Sequence, residues 1–310
     1  MKKRGFILVL ISLFILSSCT SFDNYFGRNT AQIGGKGLIL NFVQPSTSEI
    51  SIPEGFPLNV KIELKNYIEN EQGLNGELCL RDLLTDNFGG IPSFDCRPIN
   101  LASPKKLQSN NNLLVEPETF NFGPYYYKNA QREFQSASQT QLIADVKYEL
   151  ESKAKSLICV KREGSKAAPS NCGTETKLSI EQEDLPLKIT SASATSFVKD
   201  FEADLLLELT ISKTSDGQVI SRSNNFEQAP KGSAFVEFNL LVNSIPAKCI
   251  GLVGTSLEVT RTEKESKIKC SAKLSFNQDF IQVPIDIKMG YGFIQSVNGP
   301  VIKFGKEEDI

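Results

Sequence analysis

The sequence predicts an all-β protein made of two antiparallel sandwiches in tandem, and three observations carry that expectation. Apolar and polar residues alternate at period two in many short runs, helical periodicity is scarce, and one half of the chain weakly repeats the other. The alternating runs cover residues 38–43, 60–64, 142–150, 205–211, 234–242 and 285–297, and they are rich in β-branched and aromatic residues. The repeat sets residues 56–64 on 201–209 without a gap and residues 145–150 on 286–291. Shared alternation accounts for part of any such match, so the duplication rests on both blocks recurring in order at nearly equal separation.

At the amino terminus, Lys2, Lys3 and Arg4 precede an apolar run over residues 5–16, the charged-then-apolar order of a secretory signal. As a helix this run spans about 18 Å against a hydrocarbon core of about 30 Å, too short for a comfortable membrane crossing. Leu16-Ser17-Ser18-Cys19 resembles a prokaryotic lipoprotein box. That resemblance implies a lipoprotein signal over residues 1–18 and a diacylglyceryl group on Cys19. The alternative is an ordinary signal with an incidental thiol. Loss of residues 1–18 removes three basic residues and leaves 31 against 36 acidic ones, a formal charge of −5. Residues 19–36 are polar and glycine-bearing, a tether with a coil span of roughly 20–25 Å. The expected anchor holds the protein to the outer, extracytoplasmic side of the cell membrane.

The first sandwich is expected over residues 37–184 and the second over 185–305, with an acidic tail at 306–310. The boundary falls at residues 182–186, where one strand series ends and Leu187-Lys188-Ile189-Thr190 opens another. Asp216-Gly217 and Asn298-Gly299 sit between strand-like runs and read as tight turns. Pro300 after the second lacks a ladder donor and suits an edge strand. Residues 129–141 read either as a short helix or as a polar loop.

Six cysteines remain once Cys19 is assigned to lipid: Cys79, Cys96, Cys159, Cys172, Cys249 and Cys270. Fifteen pairings exist for six cysteines, and local ones bracketing turn-rich stretches are favoured, namely 79–96, 159–172 and 249–270. Each such loop stabilises by about 3 kcal/mol in the chain-entropy model. Many short strands with local disulfides point to immunoglobulin-like sandwiches. The absence of tryptophan excludes an antibody-type core. Gly37-Leu38-Ile39-Leu40-Asn41-Phe42, Phe56 with its strand, Tyr148-x-Leu150 and Cys159-Val160 with Cys172 resemble predicted archaeal and other prokaryotic surface lipoproteins with tandem immunoglobulin-like domains. The resemblance implies fold and address and carries no assigned activity or binding residues.

The chain has 310 residues, a formal charge of −2 and no histidine. Imidazole metal sites and histidine-dependent nucleophilic catalysis are therefore excluded, and nothing basic enough for a nucleic-acid partner is present. No C-x-x-C pair suggests a zinc ribbon. Ser-x-x-Lys occurs at Ser103–Lys106, Ser152–Lys155 and Ser266–Lys269. An acyl-transfer enzyme needs that pair on a helix face, whereas in extended chain the two side chains diverge. Asp200, Glu202 and Asp204 alternate and read either as a cation-binding strand face or as a solvated one. Tyr125, Tyr126 and Tyr127 form the densest aromatic stretch; they read either as a binding surface or as a packed sandwich face. Gly290-Tyr291-Gly292-Phe293 has the same two readings.

The expectation is a non-enzymatic, lipid-anchored surface protein, without catalytic residues, metal or cofactor. Its partners are the membrane through Cys19 and a protein or envelope polymer, engaged for adhesion or envelope assembly. A tethered binder of small solutes or glycans is the alternative, and it requires a concave aromatic site.

Overall fold

The computed structural model describes residues 30–31, 37–53, 55–69, 73–84, 88–106, 113–128, 139–165, 172–222, 232–260 and 264–304. Among these residues there is no α-helix, and twelve strands of five residues or more carry the fold. Six lie in the first half: β1 (Leu38–Gln44), β2 (Pro57–Asn66), β3 (Leu74–Arg81), β4 (Asp95–Leu101), β5 (Glu118–Tyr126) and β6 (Gln139–Lys161). Six lie in the second: β7 (Leu187–Lys199), β8 (Glu202–Lys213), β9 (Ser233–Val242), β10 (Ser256–Thr260), β11 (Glu265–Ser275) and β12 (Phe280–Phe304). All six predicted runs fall inside these strands. The alternation behind them is seen most plainly in β6, where every even-numbered side chain from Leu142 to Val160 is buried.

The halves repeat one topology. Strands β1-β2-β5 form one antiparallel sheet and β7-β8-β11 its counterpart. All remaining long strands join a single large sheet in the order β10-β9-β12-β6-β3-β4. That order reads the same from either end when each strand is exchanged for its counterpart. At its centre β6 and β12 pair antiparallel from Gln139–Lys303 to Lys161–Phe280. Within this ladder Leu150 faces Tyr291, two residues that the internal repeat aligns on each other. Equivalent residues face one another only on a two-fold axis, so the pseudo-dyad of the molecule passes through that pair.

This arrangement changes the expected division of the chain. The carboxy-terminal part of β12 closes over the first sandwich, where Tyr127 packs 5.1 Å from Phe304 and the Phe42 ring occupies the space a Cβ on Gly299 would need. The carboxy-terminal part of β6 packs in turn on β7, and Ser156 Oγ donates to Ser179 O at 2.7 Å. The ranges 37–184 and 185–305 therefore do not separate the two sandwiches, because each borrows a strand segment from the other. The cause is strand length. β6 and β12 have 23 and 25 residues, and at about 3.4 Å per residue each runs roughly 80 Å, past both cores. Where the chain crosses from one half to the next, Gln182 acts as a missing strand partner. Its side chain accepts from Ile189 N at 2.9 Å and donates to Ile189 O at 2.8 Å.

Both dipeptide turns resolve differently from expectation. Asp216-Gly217 links β8 to the short strand Gln218–Ile220 in the large sheet, so it is a crossing between layers rather than a hairpin. Gly217 takes φ 117°, which favours glycine there. Asn298-Gly299 lies inside β12. Gly299 and Pro300 occupy the irregular register between the Ile143–Asn298 and Gln141–Val301 pairs, where the missing proline donor breaks no ladder bond. Part of the tether also joins the fold, since Thr30–Ala31 pairs antiparallel with β1. Residues 1–18, Cys19 and the tail 306–310 lie outside the described residues, as do residues 129–138; residues 139–141 open β6 as strand.

The cysteines stand in the three local pairs. Cys79–Cys96 closes the β3–β4 hairpin, Cys159–Cys172 ties the end of β6 to the chain after it, and Cys249–Cys270 joins Lys248–Ile250 to β11.

Candidate interaction surfaces

The tyrosine stretch is divided by strand alternation at the end of β5. Tyr125 and Tyr127 are 7% and 2% exposed, whereas Tyr126 is 46% exposed. The hydroxyl of Tyr125 donates to Asp95 at 2.5 Å, and that carboxylate also holds Arg97. The hydroxyl of Tyr127 donates to Asp82. Burial pushes both phenols well above the ordinary tyrosine range; the aspartate beside each adds to the shift. Between Asp82 and Asp95, residues 88–90 of the β3–β4 connection fold back onto these residues. Gly90 N donates to Tyr126 O at 2.8 Å and Lys128 N to Phe88 O at 2.8 Å. Gly90 takes φ 79°, and a Cβ there would lie 2.2 Å from the Tyr127 ring. Tyr125 and Tyr127 are thus clamps that hold the disulfide loop, and of the three candidates only Tyr126 faces solvent. The sequence could not show this, because the docking loop comes from residues about forty positions away.

The second aromatic stretch is core as well. Tyr291 and Phe293 are buried, Phe293 lies 5.8 Å from Tyr148, and the Tyr291 hydroxyl accepts from Leu187 N at 3.1 Å. Gly290 and Gly292 serve the opposite face, where they leave room for Arg222 and Ile220 to lie flat on the sheet.

Several apolar side chains reach solvent, among them Leu157, Phe197, Phe201 and Phe235, and two further groups bear on interaction. One surrounds the far end of the first sandwich and comprises Phe56, Leu83, Phe94 and Tyr126. The other lies on a strap that leaves β9, crosses to β11 and returns to β10. Ile245–Pro246 pairs back on β9, Lys248–Ile250 joins β11, and Leu252–Val253 pairs with β10. Positive φ angles at Asn243, Ser244, Gly251 and Gly254 shape its turns. Cys249–Cys270 pins its middle. Ile250, beside that disulfide, is 80% exposed, with Val253 and Ile245 also exposed. The only sequence signal for the strap was an isoleucine between a cysteine and a glycine in a turn-rich stretch.

The outer face of the large sheet carries a polar cleft. A hollow of about 630 Å³ is lined by Glu69, Glu149, Glu151, Glu183, Lys153 and Arg222 among others, with no aromatic residue. Arg222 donates to Glu237 and to Leu150 O on its floor. Burial raises the Glu183 carboxyl above its ordinary value; Lys153 opposes the shift, and Glu69 and Glu151 add to it. Lys153 pairs with Glu151 at 3.6 Å on the cleft wall, and the ring platform that a glycan binder requires is missing from its lining.

The remaining motifs do not assemble. Ser152 points into the core while Lys155 on the same strand points out, and Ser266 and Lys269 on β11 diverge likewise. Asp204 pairs with Lys273 at 3.7 Å. No group of three potential ligands among the described residues could hold a metal ion. No family model matches the chain, and neither curated proteins nor solved structures give a match.

Proposed function

We propose that the protein is a lipid-anchored, non-enzymatic protein of the extracytoplasmic surface that presents its second sandwich to a protein partner of the envelope. The signal-like start with Leu16-Ser17-Ser18-Cys19 supports the anchor. Three local disulfides support an oxidising compartment. The observation that carries the docking role is Ile250, held 80% exposed on a disulfide-braced strap. Aliphatic side chains fixed in solvent at a rigid edge contribute nothing to the core and fit a partner surface that covers them. Their chemistry favours protein over sugar. The 630 Å³ cleft is the feature that favours the alternative, a tethered binder of a small charged solute.

The experiment is site-specific photo-cross-linking on intact cells from position 250, with Ile250→Ser plus Val253→Ser as the paired variant. A single cross-linked species is expected, and the double variant should bind it at least about 30-fold more weakly, the equivalent of about 2 kcal/mol. Melting should stay unchanged, because both residues are exposed. Undiminished binding by the double variant would overturn the docking role.

A further inference from the structure

We propose that the far end of the first sandwich rests on the bilayer, with Phe56, Leu83, Phe94 and Tyr126 entering the interfacial region and the molecule standing upright on it. The inference rests on the lipid anchor at Cys19 and adds a second, non-covalent membrane contact.

The direction of the amino-terminal strand is the first observation. Thr30 pairs with Asn41 and Ala31 with Leu40, antiparallel. The amino-terminal side of Thr30 therefore points toward the Gln44 end of β1. That end is the pole of the first sandwich, where β1 stops, β2 begins at Pro57, β5 ends at Tyr126 and β12 ends at Phe304.

Chain length is the second. Ten residues separate Cys19 from Thr30, so the greatest reach of that segment holds the anchor within about 40 Å of the strand. The opposite pole lies roughly 80 Å along the β6–β12 ladder, beyond the reach of this segment.

The third is the chemistry of the pole. Phe56 precedes Pro57, which pairs with Tyr126, and Leu83 and Phe94 flank the loop docked on Tyr126 and Lys128. All four are exposed. Among the described residues, four acids beside them have partners: Asp82 accepts from Tyr127, Asp95 from Tyr125 and Arg97, and Asp145 and Glu49 pair with Arg81 and Lys303. An aromatic and aliphatic surface with Asp95, Asp145 and Glu49 paired to cations suits the headgroup boundary, where tyrosine and phenylalanine are stable. A lipid plus such a patch gives the two-signal attachment that a durable membrane contact needs.

The test uses the mature chain, residues 19–310, with Cys19 coupled chemically to a maleimide phospholipid in phosphatidylcholine vesicles containing brominated lipid. The protein has no tryptophan, so Tyr126→Trp is a unique reporter of the proposed contact and Phe201→Trp a unique reporter of the opposite pole. Emission from position 126 should shift to the blue and lose most of its intensity to bromolipid, while emission from position 201 should be unaffected. Adding Phe56→Ser and Leu83→Ser should restore the emission at 126 with the protein still vesicle-bound. Phe94→Trp is the substitute reporter if Tyr126→Trp fails to fold. Equal quenching at both poles, or none at 126 and 94, would overturn the proposal. Because the lipid is added chemically, these outcomes do not depend on cellular lipidation. That reading is tested separately by Cys19→Ser, which should move the protein from the membrane to the soluble fraction of cells; retention at the membrane would overturn the anchor.

Discussion

The first and second sandwiches share one strand order and finish their edges differently. In the first, Cys79–Cys96 lies within a single hairpin, and Tyr125 and Tyr127 bind that hairpin's loop to the end of β5. In the second, Cys249–Cys270 ties a strap across to the opposite sheet and leaves Ile250 in solvent. The ladders are fixed in both copies by the same requirement to bury every second side chain. Loops and edges escape that requirement, so divergence collects there. One strand framework in this way carries a loop bound down by tyrosines in one copy and a strap with an exposed isoleucine in the other.

Alkali should produce the largest effect and should act first on the tyrosine-rich framework. The phenols of Tyr125, Tyr127, Tyr148 and Tyr291 are all raised, mainly by burial. A phenol whose folded pKa exceeds its unfolded value contributes stability that is complete below pH of about 10 and is lost as pH rises further, by about 1.4 kcal/mol per pH unit for each group. Denaturant midpoints should therefore be flat up to that pH and fall steeply above it. Replacing Tyr125 and Tyr127 with phenylalanine should make the fall shallower, and an unchanged slope would remove the clamp from the account.

The next effect down sharpens the contrast within a single strand. Tyr127→Ala should destabilise by about 3–5 kcal/mol, as expected for a buried aromatic ring. Tyr126→Ser, one residue away, should stay within about 0.5 kcal/mol in the same urea titration. Similar losses at both positions would contradict the division of the stretch into core and surface.

The two disulfides give the smallest difference in stability and the clearest difference in function. Their half-cystines are 17 and 21 residues apart, so removing either pair to serine should cost about 3 kcal/mol in the chain-entropy model. Only the Cys249–Cys270 variant should lose partner cross-linking at position 250. Loss of cross-linking in the Cys79–Cys96 variant instead would move the docking role to the first sandwich.

Alternation in residues 142–150 and 285–297 was enough to place both as strands, and cysteine spacing was enough to choose among fifteen pairings. These are local signals, set by the period of the pleat and by short loop closure. The repeat of 145–150 on 286–291 names equivalent residues, and the pseudo-dyad followed only once the folded chain set Leu150 opposite Tyr291. The sequence could not say that β6 and β12 pair with each other along their whole length. That depends on contacts about 140 positions apart, and it turned two expected successive domains into one interlocked pair. It likewise could not tell Tyr126 from its neighbours, or single out Ile250. Burial is decided by what lies across a side chain, and at both places the covering or uncovering segment is brought there only by the folded chain.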